Sequence, residues 1–312
     1  MKQAKPLMIF FIALCFTLPL FAQNGELKRE LDQYMQAIRN EQAAGPTPEV
    51  FYKTDEPVRM ISYLEPYYED SLVDVRRKAY YITYKVGRQN TGAESKTTFI
   101  LTNALKDPDS GIVGSVMDYL KSCPRTYYSE SAKDTLVNLL HRGTPHYKKL
   151  IKLIGYLDIK GEIPYLKQKL RTRDYTNSSE RWAILLALSR MGEPQAIDFC
   201  LRVTQKMPVG DDFVYEIVPD LIYTRQKKLV DYLVRQLYAD AANCSSPNPE
   251  STQTIHCGYR IMEFLAPVIV DFPLEVDIAG EIRTDDYKKA LKTTRDWFEE
   301  HQENYQLARD TY

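Results

Sequence analysis

Three related tetrapeptides decide the fold of this chain: IPYL at 163–166, IDFC at 197–200 and VDYL at 230–233. Their first residues are separated by 34 and then by 33 positions, counted along the sequence. Self-similarity at a period of about 33 residues is typical of solenoids in which each repeat is a pair of helices. The pattern therefore predicts an all-α fold, a right-handed α-solenoid of stacked antiparallel helix pairs.

The segment between the first two copies has the pattern of a helix that is buried on every side. Residues 182–188 (WAILLAL) are wholly apolar, and a helix without a polar face needs neighbours around it. Gly192 and Pro194 follow, because glycine accepts the left-handed conformation after a helix and proline fits a first helical turn. Pro219 lies within a later apolar pattern, where a proline would interrupt an ordinary helix.

Two stretches carry a resemblance to a known repeat family. SERW at 179–182 leads to MGEPQAI at 191–197, and DSLVDVRRKA at 70–79 has Asp, Val-Arg and Ala at the family spacing. Over about residues 45–270 the chain resembles the HEAT-like repeat proteins. This resemblance implies a curved stack whose second helices line a concave inner face, where protein partners bind.

The chain is expected to have four consecutive regions. They are a signal peptide at 1–22, an N-terminal capping helix and linker at 23–48, about six HEAT-like helix pairs at 49–270 with a loop insertion at 239–254, and an irregular segment with a C-terminal capping helix at 271–312. The capping helix is expected to start at Thr284, because threonine is a good N-cap and two aspartates follow it.

Residues 1–22 have the pattern of a secretory signal. Lys2 and Lys5 precede an apolar run at 7–21, and Ala22 supplies a small residue for cleavage. A membrane anchor is the alternative, but the run is short for a span and polar sequence follows it. We therefore expect an exported bacterial protein, periplasmic or extracellular, with no transmembrane segment after signal removal.

The charge of the chain argues against nucleic acid as a partner. The formal net charge is −1, and removing Lys2 and Lys5 with the signal leaves 39 basic and 42 acidic residues, or −3. Binding to nucleic acid generally needs a strongly basic face. No nucleic-acid partner is therefore expected.

The cysteines outside the signal have two predicted roles. Cys244 and Cys257 bracket a polar segment, and a disulfide between them would restrain a loop with few other restraints. The spacing alone leaves both the bridged and the free forms open. Cys200 aligns with Leu166 and Leu233 in the repeat and is expected to be a small buried apolar residue.

The sequence contains no recognisable catalytic or metal-binding motif. Its four histidines form neither a His-Glu-x-x-His nor a His-Glu pattern, and there is no phosphate-binding glycine loop or nucleophile elbow. We therefore expect no metal, no cofactor and no enzymatic activity. The alternative is a small α/α-type enzyme or binding protein acting on polysaccharide, with His141, His146 and Tyr147 as its nearest candidate cluster.

Tyrosine is unusually frequent, with 23 residues, and two interpretations remain open. Tyrosines could fill half-buried positions between helix pairs, or they could form the wall of a groove for a protein or a sugar. The HEAT-like resemblance places several candidates on or near the inner face. The predicted binding residues are Tyr80, Tyr84, Tyr119, Tyr147 and Arg181, and the predicted partner is a protein or an extended peptide, with a glycan as a second possibility.

Overall fold

A computed structural model describes residues 18–42, 45–171, 178–239, 242–248, 250–277 and 280–312. The described residues form fourteen α-helices and one two-stranded antiparallel sheet, so the all-α helical-repeat prediction is confirmed. Most of the predicted signal peptide, residues 1–17, lies outside this description. Among the described residues, no helix has the length and apolar character needed to cross a bilayer.

The helices follow the order of the predicted pairs. Their bounds are α1 Leu18–Arg39, α2 Pro57–Leu64, α3 Val73–Gln89, α4 Glu94–Ala104, α5 Ser110–Lys121, α6 Glu130–Arg142, α7 Tyr147–Tyr156, α8 Ile163–Arg171, α9 Ser178–Arg190, α10 Pro194–Thr204, α11 Val218–Tyr223, α12 Lys227–Leu237, α13 Cys257–Leu265 and α14 Tyr287–His301. Their contacts divide the chain into two compact units, Met1–Ile112 and Val113–Tyr312, a division that the sequence did not predict.

In the first unit, α1 packs against α2 and α3, and α3 packs against α4. The core contains fully buried Leu31, Met35 and Ile61. A buried ion pair links the start of α3 to the loop after α4. The guanidinium of Arg76 donates to both carboxylate oxygens of Asp107, at 2.8 and 2.9 Å.

In the second unit, the second helices of successive pairs form one layer: α7 packs against α9, α9 against α11, and α11 against α13. The first helices α10 and α12 are also neighbours. This arrangement confirms stacked helix pairs within the unit. It follows from apolar helix faces that only the neighbouring pairs can cover.

The three copies of the recurring tetrapeptide occupy largely equivalent positions in the fold. Its fourth residue is fully buried in all three copies, as Leu166, Cys200 and Leu233, which confirms the prediction for Cys200. At the third position, the hydroxyls of Tyr165 and Tyr232 donate to the Leu140 and Thr204 carbonyls, each on the preceding first helix. Phe199 departs from this pattern: it has no hydroxyl to anchor it and is 41% exposed.

Pro219 is accommodated by a change of helix type. A π-helical turn at Phe213–Ile217 precedes α11, and the proline falls in the first turn of α11. The first-turn amides of a helix have no intrahelical acceptor, so the missing N–H of proline costs little there.

The loop insertion is closed by a disulfide. Cys244 and Cys257 are bonded, and strands β1 (Cys244–Ser245) and β2 (Thr254–Ile255) pair beside the bond. The predicted bridge is confirmed. Both carboxylate oxygens of Asp211 accept from the amide of Ser245, so the insertion is also tied to the turn before the π-helical segment.

The C-terminal helix starts later than expected. The side chain of Asp286, and not Thr284, accepts from the Lys289 amide at 2.9 Å and caps α14. Residues beyond α14 also pack against the second unit. Main-chain hydrogen bonds tie Val270 to Gln306 and Ala308 to Val268, which brings the last residues back onto the second unit.

Candidate functional site

The last residues of the chain lie along one end of the stacked helices in the second unit. There, α7 ends at Tyr156, α9 at Arg190 and α11 at Tyr223, each followed by a turn. The segment 305–312, which we call the docked segment, crosses these ends without forming a helix. A peptide-like stretch is thus bound by a helical-repeat surface within one chain.

Two buried arginines hold the main chain of the docked segment. Arg190 donates to the carbonyls of Arg309 and Thr311 at 2.8 and 2.9 Å, and also to the Tyr223 carbonyl. Arg225 donates to the carbonyl of Ala308 at 2.8 Å, the hydroxyl of Thr311 at 2.9 Å and the main-chain oxygen of Tyr312 at 3.1 Å. Most of these acceptors are main-chain oxygens, which every peptide carries.

Aromatic side chains hold the end of the docked segment. The ring of Tyr312 lies 5.5 Å from that of Tyr156 and 5.1 Å from that of Tyr223, measured between centroids. The ammonium of Lys121 lies 5.3 Å from the Tyr312 centroid, within cation–π range. The Tyr156 hydroxyl lies 2.9 Å from the Cys123 carbonyl oxygen and 3.2 Å from the Asp310 carbonyl oxygen, and its one proton is shared between them.

A second anchor lies at the other end of the docked segment. Tyr305 is 7% exposed, and its hydroxyl donates to the carboxylate of Asp231 on α12 at 2.6 Å. Burial raises the pKa of the Tyr305 hydroxyl far above its ordinary value, and the neighbouring carboxylate of Asp231 adds to this effect. The phenol therefore stays protonated and keeps its role as donor.

The two arginines are buried without an Asp or Glu partner among the described residues. Arg190 is 8% exposed and Arg225 is 3% exposed, and the acceptors that the structure shows for them are main-chain and hydroxyl oxygens. Desolvation, with a smaller contribution from the positive charge of Arg190, lowers the pKa of Arg225 to about 10. Desolvation also lowers the pKa of Arg190, with a contribution from Arg125. Both remain cationic at neutral pH.

A cavity of about 250 Å³ lies beside these arginines. It is lined by Arg125, Gly155, Asp158, Lys160, Arg190, Met191, Gly192, Arg225, Gln226 and Arg309. Each contributing turn follows the C-terminal end of a second helix, and Arg309 comes from the docked segment. Five cationic side chains therefore face a single carboxylate.

The structure distributes the sequence-predicted binding residues over both units. Tyr80 and Tyr84 lie on α3, and the other three lie on α5, α7 and α9 of the second unit. Tyr80 is 7% exposed, stacks on Tyr68 at 5.2 Å and offers little surface to a partner. Tyr84, Tyr119 and Tyr147 are partly exposed and Arg181 is exposed, and these four stay predicted contacts.

The histidine cluster of the alternative hypothesis is divided among separate contacts. The Nε2 atom of His141 lies 2.7 Å from a carboxylate oxygen of Glu162. His146 stands just before α7 and packs near Gly114, and the hydroxyl of Tyr147 donates to the Leu140 carbonyl at 2.7 Å. Among the described residues, no group of three or more His, Cys, Asp or Glu side chains is placed to hold a metal.

The sequence reasoning missed Arg190 and Arg225 as functional candidates. A signal for them was present, because Tyr156, Arg190 and Tyr223 are spaced by 34 and 33 residues, at the repeat period. The three therefore occupy equivalent places at the ends of successive second helices. No such signal marks the docked segment. Its residues lie 80 or more positions from Arg225 along the sequence and over 110 positions from Arg190.

Comparisons with known proteins give little beyond the fold. No protein-family model matches the chain, and no curated protein matches it. Among solved structures, the chain is similar to the complex of CpcE and CpcF of phycocyanin lyase from Nostoc sp. PCC7120, with 16% identity and a TM-score of 0.44, over 80% of this chain and 85% of that one. That complex is described as a lyase, so the expectation that this chain is not an enzyme finds no support in this comparison.

Proposed function

We propose that this chain is an exported helical-repeat protein, of the HEAT-like type, that binds an extended segment of a partner protein. The observation that carries the proposal is the docked segment. Arg190, Arg225 and Tyr156 direct their donors at the main-chain oxygens of residues 308–312. Donors aimed at main-chain oxygens select an extended peptide with little regard to its side chains, so the same surface can hold a segment of another chain.

Aromatic and cationic residues at this surface suit the role. Tyrosine and arginine contribute more than other residues to protein interfaces, because they combine apolar area with directed hydrogen bonds. Tyr156, Tyr223 and Arg190 are held in place by the ends of their helices and need little reordering on binding. A rigid surface of this kind loses little conformational entropy when a peptide binds.

The test uses a fluorescent peptide with the sequence of residues 305–312. A chain with Tyr305→Phe and Tyr312→Ala, in which the docked segment is weakened, should bind the peptide measurably more tightly than the unchanged chain in fluorescence anisotropy. Adding Arg225→Gln should weaken this binding at least about tenfold, because hydrogen bonds from a charged donor are lost. Adding Arg283→Gln, an exposed arginine paired with Glu275, is the matched control and should leave binding unchanged.

A milder variant guards against misfolding at the buried arginine. Tyr156→Phe removes one hydroxyl donor from the surface and keeps the ring. It should reduce peptide affinity while the helical circular dichroism signal stays the same. If the weakened chain binds no peptide, or if all variants bind it equally, the proposed surface is not a peptide site.

Export is the second part of the proposal. The signal pattern at 1–22 supports it, and so does the Cys244–Cys257 disulfide, because such bonds persist mainly in oxidising compartments. Mass spectrometry of the protein from its native cells should find a chain that begins near residue 23 with this disulfide formed. A chain that retains residues 1–22 and has both cysteines reduced would contradict export.

A further inference from the structure

The cavity at the ends of the second helices has an excess of positive charge. Arg125, Lys160, Arg190, Arg225 and Arg309 line it, and Asp158 is the one acidic residue among the lining side chains. That carboxylate is shared, at 3.7 Å from a guanidinium nitrogen of Arg125 and 3.6 Å from the ammonium of Lys160. It therefore serves Arg125 and Lys160, and in the described part of the chain neither Arg190 nor Arg225 forms an ion pair with an Asp or Glu side chain.

Helix dipoles and a second carboxylate account for only part of this excess. The C-terminal ends of α7, α9 and α11 point toward the cavity, and each helix end carries roughly −0.5 of an elementary charge. Asp310 lies at the margin, where its carboxylate accepts from the Arg125 amide at 3.1 Å. The five cations therefore still outnumber the two carboxylates and the partial negative charges of the three helix ends.

Burial makes this remaining charge costly. Arg190 and Arg225 are more than nine-tenths buried, and moving a cation from water into a protein is unfavourable unless hydrogen bonds or an opposite charge compensate it. Arg225 also has a left-handed backbone, with φ of +51°, at the turn after α11, where Asp158 and Gly192 have the same conformation after α7 and α9. The repeat geometry therefore brings these turns together, and buried arginines beside a cavity make it a candidate ligand site.

The geometry points to an oxyanion site: we propose that this cavity binds a doubly charged tetrahedral oxyanion, a phosphate or sulfate group. Guanidinium groups present planar pairs of N–H donors that match such oxygens, and several converge here from different turns. The volume of about 250 Å³ is near eight times the share of one water in the liquid, about 30 Å³. A small oxyanion and its remaining waters fit this space.

This site differs from the peptide surface in the atoms that it uses. The peptide surface uses arginine donors that already point at main-chain oxygens, whereas the oxyanion would also engage Lys160 and Arg125, which line the same cavity. Arg309 belongs to the docked segment, so a bound oxyanion would also help to hold that segment in place. The two proposals can therefore fail separately.

The experiment is calorimetric titration of the full exported chain with inorganic phosphate, with chloride at matched ionic strength as the reference. The unchanged chain should show saturable binding of one phosphate. Lys160→Gln combined with Arg309→Gln should weaken it at least about tenfold, because two charge-assisted partners are lost. Both side chains are exposed enough that folding should not depend on them.

The matched control removes the same charge elsewhere. Arg142→Gln combined with Lys206→Gln changes two exposed cations outside the cavity and should leave phosphate affinity unchanged. The thermal unfolding midpoint gives a second measurement, since a ligand that binds only the folded chain raises it with concentration. Phosphate should raise the midpoint of the control variant and fail to raise that of the cavity variant.

Two further titrations identify the source of the oxyanion. Sulfate should bind comparably, and tighter binding of O-phosphoserine than of inorganic phosphate would indicate a phosphate group on a larger ligand. Equal or weaker binding of O-phosphoserine would indicate the free ion. The proposal would be overturned if phosphate gave no more binding heat than chloride. It would also be overturned if the cavity and control variants bound phosphate with equal affinity.

Discussion

Removing the Cys244–Cys257 disulfide should destabilise the second unit by about 3 kcal/mol. The two cysteines are separated by 13 positions, so the bond closes a loop of 14 residues. Loop-closure entropy for that length gives about 3 kcal/mol at 25 °C. A domain of the size of Val113–Tyr312 shifts its midpoint by about 2–4 °C per kcal/mol, so reduction should lower the midpoint by about 6–12 °C.

The physical reason lies in the loop that the bond closes. In its described residues, the segment between the two cysteines is restrained by the short β1–β2 pairing, the contact of Ser245 with Asp211 and the contacts of His256 with Arg295 and Tyr259. In the unfolded chain the bond removes many conformations that the reduced chain can adopt. The folded unit, where both sulfurs are buried, changes much less.

The assay is thermal unfolding followed by far-ultraviolet circular dichroism, with and without a reducing agent. Cys244→Ala combined with Cys257→Ala is the control, and its midpoint should not respond to the reducing agent because it lacks the Cys244–Cys257 bond. An unchanged midpoint on reduction of the unmodified chain would refute the loop-closure argument. An equal fall of the midpoint in the double variant would show that the reducing agent acts at a site other than this disulfide.

Three further predictions concern stability. Arg76→Met should cost about 3–5 kcal/mol at pH 7 in urea unfolding, because it leaves the buried carboxylate of Asp107 unpaired. Burial alone would raise the pKa of the Asp107 carboxyl, but the hydrogen bonds from Arg76 hold that pKa below its usual value. The stability that the ion pair contributes is therefore present above about pH 4 and is lost as the pH falls further. The difference in unfolding free energy between the unchanged chain and the Arg76→Met variant should therefore become smaller in acid. Thr294→Val should stabilise the chain by about 1 kcal/mol in urea unfolding, because the buried Thr294 hydroxyl has no hydrogen-bond partner among the residues that the structure describes. A destabilised variant would show that the hydroxyl is satisfied. Gly155→Ala should cost about 1–3 kcal/mol by the same measurement, since its Cβ would lie 2.7 Å from the Cα of a residue on α9, whereas Gly161→Ala, with open space around it, should be neutral.

Local features of the fold could be predicted from the sequence because they depend on neighbours along the chain. The repeat period, the end of α9 at Gly192 and the burial of Cys200 all follow from apolar spacing and backbone preference. The start of α14 was misplaced by three residues, from Thr284 to Tyr287, because Thr284 and Asp286 both suit a cap and only the turn geometry selects Asp286.

The candidate site depends mainly on contacts that are distant in sequence. Tyr80 was predicted as a contact from its position on a second helix, but its ring stacks on Tyr68 and is buried. Arg190 and Arg225 were overlooked because an arginine near a helix end is ordinary in sequence. Their importance comes from the docking of residues 305–312 beside them, which no local sequence pattern predicts.

The sequence by itself determined the helical-repeat class, the order of the helix pairs and the cysteines able to bond, since each depends on periodic burial or short-range spacing. Only the tertiary structure decided that the helix ends of the second unit converge with the last residues of the chain around a cationic cavity. The reason is physical: apolar periodicity specifies which face of a helix is covered, whereas the convergence of charged side chains depends on how successive helices stack and where the chain returns.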